Sequence, residues 1–589
     1  MFRKPAVLLS AVAMLVCSIA FGEEAKTHFV REAVGMKSYP AVPRIVERMQ
    51  LAPAMTLRPA TEAVPEAIEA VLQWNAEGRL PAKNGFSRSL GETMAVSFGG
   101  VEAKSGLHGR GAVAATANGT TWGASFRVEN AKRIRLRLDD VDLPAGTTLW
   151  VYGTTGDARA FDTSLVDAGQ SLWTPSVDGD TLHLEVEVPA GTSASFNVRE
   201  VLELLHSRSA KLPVDNDDEP TCLIDQAVAC VGAGEFSALT AAKGAVGQME
   251  FTVGNTPYVC SGTLITDQQQ SVTPYFLTAN HCISTQASAS SLETYFDFQF
   301  KGCQWGEYDY LPPVSGATLL TTSATTDVTL LRLPSIPANR YLLGWTTTPP
   351  ANGTVLHRIS HPVALAGVPA FPQMYSRTIL KATSPACSGG SKPRPNFIYS
   401  NESNGGEGGV YGGSSGSSIL LNDGSIVGQL WGSCNCADAS AGCDRQCDTV
   451  DGAFSQSFNL LKTYLSSTGS QPAPCVQNLT DGTVCLVNNR FKVRLTYDAG
   501  QGSRPMTAIK YTPDSGLFWF DNANNIEVLL KMINACSFNQ KFWVYAGGTT
   551  DVGVTITVTD SQNGAVKTYN NVRGTKFLTI TDGAAFSCP

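Results

Sequence analysis

Tyr411-Gly-Gly-Ser-Ser-Gly-Ser-Ser-Ile419 is the stretch on which the reading of this 589-residue chain turns. It crowds glycines and hydroxyls together just before an apolar run, Ile419-Leu-Leu421. A serine held in a glycine-rich tight turn presents its hydroxyl outward. The glycines let neighbouring amides converge on one point, where a tetrahedral oxyanion can sit. Taken alone, the stretch reads as a loop or linker. A histidine and an acid elsewhere have to supply the rest of the chemistry.

Two further stretches do so. In Phe276-Leu-Thr-Ala-Asn-His-Cys282 an apolar strand end delivers His281, with Cys282 beside it. Upstream, Val259-Cys-Ser-Gly-Thr-Leu-Ile265 puts Cys260 on a preceding strand. A Cys260–Cys282 bridge would pin the backbone of the imidazole to that strand, and a general base works only within hydrogen-bond reach of its nucleophile. In Thr325-Thr-Asp-Val-Thr-Leu-Leu-Arg-Leu333, Asp327 opens an alternating apolar strand. A partly buried carboxylate there can orient an imidazole through its Nδ1–H, although by itself it could equally cap a turn.

The rest of the chain frames these residues. With 43% hydrophobic and 16% charged residues it is globular, and 589 residues exceed one ordinary core. A net charge of −8 gives no electrostatic case for nucleic acid. Arg3 and Lys4 precede an apolar run from Ala6 to Ile19, then Ala20 and Gly22. This reads as a signal peptide, 1–22, cut after Gly22 or Ala20. Cys17 belongs to it, and no later stretch is long and apolar enough for a spanning helix. The remaining cysteines are even in number and all lie from Cys222 onward, a disulfide pattern expected of a secreted chain, extracellular or periplasmic.

Residues 23–212, without cysteine, read as a β-rich unit. A helix is expected from Pro65 to Gly78, and half-buried strands at Ile134–Leu138, Leu149–Tyr152 and Leu182–Val188. His108, His183 and His206 read as ordinary surface or strand histidines. From Leu205 to Thr221 the chain reads as a linker, with Arg208 and Lys211 as exposed basic cleavage points. That suggests a propeptide. Residues 213–465 carry the chemistry on strands such as Gln248–Val253, Val328–Leu333 and Ser425–Trp431, and close on a helix bearing Phe458, Leu461 and Leu465. A linker, 466–474, leads to 475–589, a β-sandwich with two plausible pairs among Cys475, Cys485, Cys536 and Cys588. Its aromatics Phe518-Trp-Phe520 and Trp543 read first as core, and second as a face for a surface, carbohydrate or protein.

Thr-Ala-x-His-Cys, Asp-x-x-Leu-Leu-x-Leu and Gly-x-Ser-Gly-Ser, in that order, resemble the chymotrypsin-fold serine endopeptidases. Within them the chain is similar to the secreted bacterial lysyl endopeptidases, which share its layout of signal, propeptide, protease domain and C-terminal extension. The resemblance implies a mainly β chain with a trypsin-like double β-barrel. It implies His281 as general base, Asp327 as its orienter and Ser415 as nucleophile, with the amides of Gly413 and Ser415 as oxyanion hole. Trp431-Gly432 resembles the pair lining the substrate cleft. By analogy Cys230 pairs with Cys303, and Cys222 reaches Cys434 or Cys436; the pairing of Cys387, Cys443, Cys447 and the remaining one stays open. Ser414 replaces the Asp that buries a new N-terminus in trypsin-like zymogens, so another device has to hold the N-terminal segment.

Substrate choice is less marked. Asp448 and Asp451 are the candidate carboxylates for a basic P1 side chain, with an apolar or small P1 as the alternative. The expectation is a monomeric serine endopeptidase acting on proteins or peptides, probing no nucleic acid and needing no metal or cofactor. The rival is a catalytically silent adhesion or binding protein on a protease scaffold.

Overall fold

A computed structural model describes residues 22–37, 39–57, 63–100, 106–108, 110–154, 158–161, 171–208, 227–232, 234–303, 307–363, 372–382, 392, 394–401, 409–434, 447–466, 475, 477–487, 490–539, 541–561 and 564–587. Residues 1–21 of the signal segment, Lys211, Cys222, Cys387, Cys436, Cys443, Cys588 and the linker after Ser466 lie outside the described residues.

Three apolar cores organise the described chain. The first lies between two sheets of residues 55–204, joined by the long antiparallel strands Gly85–Gly99, Arg133–Asp142 and Ser193–Leu204 in one sheet, and Gly119–Val128 with Thr181–Pro189 in the other. The expected helix is present as Ala63–Ala76, and Gly78, at φ +65°, ends it. The third core fills a sandwich of two five-stranded sheets over residues 483–587, where Phe518 is buried and Trp519, Phe520 and Trp543 are half-buried. Cys475 and Cys485 are bridged there.

The second core is the double β-barrel. Its first sheet runs Val314–Ser315, Glu293–Phe296, Val246–Val253, Thr256–Ile265, Tyr275–Ala279, Val328–Arg332, Thr318–Ser323. Its second closes on itself through Ile426–Cys434, Ser418–Leu420, Val355–Ser360, Met374–Leu380, Phe397–Asn401 and Asp448–Ala453, the last pairing back with the first. The fold is mainly β. Helix Phe454–Leu465 lays Phe458, Leu461 and Leu465 into the first-barrel core, the face its spacing predicts. One pairing was not legible: Glu24–Ala25 and His28–Val30 add strands at Trp345–Thr346 and Arg340–Leu342, burying Ala25 and Val30 in this core and not in the N-terminal sandwich.

Two expectations are corrected where the sandwich meets the first barrel. Strand Arg133–Asp142 was expected to keep one face in water, but Arg133 and Arg135 are buried, because the barrel covers that face. Arg208 is only 2% exposed and is no exposed cleavage point. The reason is Glu250 on strand Val246–Val253. It takes Arg133 Nη2 at 2.6 and 2.8 Å and Arg208 Nη2 at 2.7 Å. The Arg208 guanidinium also lies 3.9 Å over the Tyr295 ring and bonds Gln248. Burial alone would push the Glu250 carboxyl up, yet Arg133 and Arg208 hold it well below the usual carboxylate range.

His206 belongs to this cluster and is not a surface histidine: its Nε2 is 3.5 Å from Glu250 Oε1. Burial pushes its pKa down to about 4, with Glu250 opposing and Arg133 and Arg208 assisting. The folded chain therefore keeps His206 neutral where an unfolded chain protonates it. This stability is complete above the ordinary value of 6.5 and is lost as pH falls from 6.5 towards 4. Denaturant midpoints between pH 7.5 and 4.5 should show the wild-type losing up to about 1.4 kcal/mol more per pH unit than His206→Gln. Parallel curves for the two proteins would refute the assignment.

Candidate active site

His281 lies two residues past strand Tyr275–Ala279, and Asp327 directly precedes strand Val328–Arg332, which pairs with it. The ladder brings the two residues together although 46 positions separate them. His281 Nδ1 lies 2.7 Å from Asp327 Oδ2, and the His281 amide donates to Asp327 Oδ1 at 2.9 Å. One carboxylate thus fixes both the ring and the backbone of the histidine. Asp327 adopts φ +53°, a left-handed conformation that aspartate tolerates when its surroundings enforce it. The enforcement comes from the Asn280 amide and from Gln429 Nε2, which both donate to the Asp327 carbonyl, at 2.9 and 3.2 Å. Gln429 also reaches the Thr326 carbonyl at 2.8 Å, so the second barrel locks the acid of the first.

The serine turn is built from the other side. The Ser414 amide donates to the Tyr411 carbonyl, Gly416 to Leu430 and Ser417 to Ser414, at 3.0, 2.9 and 3.1 Å. Among the described residues the amides of Gly413 and Ser415 have no acceptor. Gly413, at φ +92°, sits so close to His361 and Val363 that no side chain would fit. Gly416, at φ +81°, lies against strand Tyr275–Ala279, where a Cβ would run into Thr278 and come within 2.6 Å of the Ser261 carbonyl oxygen. These glycines let the turn approach the strand that delivers His281.

Two residues tie serine to histidine. The Ser261 amide donates to the Ser415 carbonyl at 2.8 Å, and the Ser261 hydroxyl to the Gly413 carbonyl at 2.9 Å. The preceding residue, Cys260, is bridged to Cys282, next to His281. No hydrogen bond holds the Ser415 hydroxyl among the described residues; the contact of His281 Nε2 is Cys282 Sγ at 3.8 Å. Cys260, His281 and Cys282 have the makings of a metal cluster, with ligand atoms within 4.8 Å of one another. Both sulfurs are spent in the disulfide, so no thiolate is offered.

The cleft wall and the expected pocket carboxylates divide. Trp431 and Gly432 lie on strand Ile426–Cys434, with Lys392 Nζ 4.6 Å over the Trp431 ring. Asp451 does not line an open pocket. It is fully buried and paired with Arg358, Nη2 to Oδ1 at 2.7 Å, and burial pushes its carboxyl up even against that cation. Arg358 in turn donates to the Ser417 carbonyl at 2.9 Å, so this pair braces the serine turn. Asp448 is also engaged, by Lys381 Nζ at 2.8 Å and Asn401 Nδ2 at 2.6 Å. Sequence reasoning missed Gln429, Ser261 and Arg358. Only the last left a trace, a lone cation inside the apolar strand Val355–Ser360. Cys230 and Cys303 are bridged; Cys434 and Cys447 are each disulfide-bonded, and Cys222 lies outside the described residues.

Ser414, in place of the zymogen aspartate, is buried and accepts from the Ser360 hydroxyl at 2.9 Å and the Tyr411 amide at 3.4 Å. A neutral hydroxyl network fills this position.

Two family models match the chain in succession: "Lysyl endopeptidase N-terminal domain" over residues 114–201, and "Lysyl endopeptidase, C-terminal domain" over residues 217–446. A lysyl endopeptidase of Pseudomonas aeruginosa is 27% identical over 241 residues, 39% of this chain and 52% of that protein. The chain thus spans about half the length of the curated relative it matches. Among solved structures, an inactivated protease paralogue of the scabies mite matches 38% of this chain and 94% of its own at 13% identity, with a TM-score of 0.27. The MamO protease domain of Magnetospirillum magneticum matches 38% and 97%, at 13% identity and a TM-score of 0.23. The two consecutive family models and the curated relative agree in the family they point to: over residues 114–201 and 217–446 this chain is similar to the lysyl endopeptidases.

Proposed function

We propose that the chain is an exported serine endopeptidase working through Ser415, His281 and Asp327. His281 Nε2 takes the Ser415 proton as Oγ attacks the scissile carbonyl, while the amides of Gly413 and Ser415 bind the resulting oxyanion. Asp327 holds the imidazole through Nδ1–H and stabilises the imidazolium. The proton passes to the leaving amine, and water then hydrolyses the acyl-enzyme by the same route. The observation that carries this reading is the doubly held His281–Asp327 pair, tethered to the serine turn through Cys260–Cys282 and Ser261. The disulfides and the relative support export. The layout that goes with it is a signal, 1–22, a propeptide, 23–212, a protease unit, 213–465, and an accessory sandwich, 475–589, behind the linker 466–474.

For substrate choice, the family favours lysine at P1. A second reading, an apolar P1, is favoured by the internal pairing of Asp448 and Asp451. A fluorophosphonate should label Ser415 of the matured protein, and fragments of a digested protein mixture should end in one residue class. No labelling would favour the silent scaffold. Ends without lysine or arginine would refute the basic-P1 reading.

A further inference from the structure

Between the helix Ala63–Ala76 and the first long strand of the sandwich runs Leu80-Pro-Ala-Lys83, and it leaves its own unit. Ala82 and Lys83 pair antiparallel with Val259 and Tyr258 on strand Thr256–Ile265, and the Asn84 amide continues the ladder to the Pro257 carbonyl at 3.4 Å. Val259 adjoins Cys260, whose disulfide partner adjoins His281. Ala82 is 1% exposed and forms an apolar cluster with Val259 and Val363. A Cβ built on Gly412, three residues before Ser415, would lie 3.1 Å from the Ala82 Cβ. One built on Gly432, beside Trp431, would lie 3.0 Å from Leu80 Cδ1. A short peptide is thus held at both walls of the cleft, on either side of the serine turn.

The helix presents this peptide rigidly. Trp74 Nε1 donates to the Pro81 carbonyl at 3.0 Å. The Asn75 side chain donates to the Lys83 carbonyl and accepts from the Lys83 amide, both at 2.8 Å. Lys83 Nζ lies 3.9 Å over the Trp74 ring. Proline at 81 locks φ and brings no amide hydrogen. Every one of these contacts fixes the peptide before it meets the barrel, which lowers the ordering cost of binding.

We propose that Leu80–Lys83 is a built-in inhibitor that occupies the substrate cleft by strand addition, with Leu80 at the side-chain site beside Gly432 and Ala82 against Gly412. It follows that substrates enter only after this segment is withdrawn, and that an extended peptide takes over the Val259 edge. The inference rests on the reading of Ser415 as nucleophile.

The test uses the full chain and follows fluorophosphonate labelling of Ser415 by intact mass. Ala82→Arg places a long cation against Gly412, and Leu80→Asp removes the other anchor. Each should label at least tenfold faster than the parent. Equal rates for parent and variants would overturn the inhibitor and leave the serine reading standing. No labelling of any of them would overturn the serine reading, and the inhibitor with it. Hydrogen exchange in a Ser415→Ala background gives a second readout that is independent of activity. The amides of Val259 and Ala82 should be protected in that chain and exchange at least tenfold faster once Ala82→Arg is added; unchanged exchange would also count against the inhibitor.

Discussion

Replacing Ser415 by alanine should lower peptide-bond hydrolysis by roughly 10⁴- to 10⁶-fold while leaving the fold intact. The turn around it is held by backbone bonds of Ser414, Gly416 and Ser417 and by Ser261, none of which uses the Ser415 hydroxyl. Truncation therefore removes the proposed nucleophile and little else. Asp327→Asn should cost about 10⁴-fold, because an amide can present its NH₂ to Nδ1 and stabilise the wrong tautomer. It also weakens the bond from the His281 amide, now at 2.9 Å to Oδ1. Steady-state rates on a protein or peptide substrate, with melting curves for each variant, check both. A Ser415→Ala protein retaining more than a hundredth of the parent rate would place the chemistry elsewhere.

Glu250→Ala should be the most damaging change outside the site. Glu250 sits 2% exposed between Arg133 and Arg208, themselves buried, and all three come from different segments. Removing it strands two guanidinium groups away from water. Losing one partner of a buried ionic group costs about 3–5 kcal/mol, most of it from the charges left behind. Glu250→Gln should lose less, since one carbonyl oxygen still accepts. The measurement is the denaturant midpoint of the transition that exposes the sandwich–barrel face. A loss below about 1 kcal/mol would mean that the arginines find other acceptors. A mutant that also labels faster at Ser415 would link this face to the seating of Leu80–Lys83, since the Leu205 amide donates to the carbonyl of Asn84, the residue after that segment, next to the strand Ser193–Leu204.

The elements most legible in the sequence were those whose period or local chemistry suffices. Helix Ala63–Ala76 and helix Phe454–Leu465 followed from apolar spacing, and Gly78 marked a stop. The Cys260–Cys282 bridge was expected from a cysteine on one strand and another beside the histidine, and the two are joined. Where reasoning failed, a second unit had covered a face. Arg208 reads as an exposed basic site in a polar linker, because nothing local reveals Glu250 on a strand 42 positions further on. Asp451 reads as a pocket carboxylate for a different reason: its partner Arg358 is 93 positions away in the same sheet, and barrel closure brings them together.

The sequence by itself determined the residue types and their order: histidine after an apolar strand, acid before another, serine among glycines. These are local requirements, set by turn chemistry and strand alternation. The tertiary structure alone decided which groups are paired, because pairing depends on distance across barrels. It bound Gln429 to Asp327, Ser261 to the serine turn and Arg358 to Asp451, and it laid Leu80–Lys83 between the cleft walls.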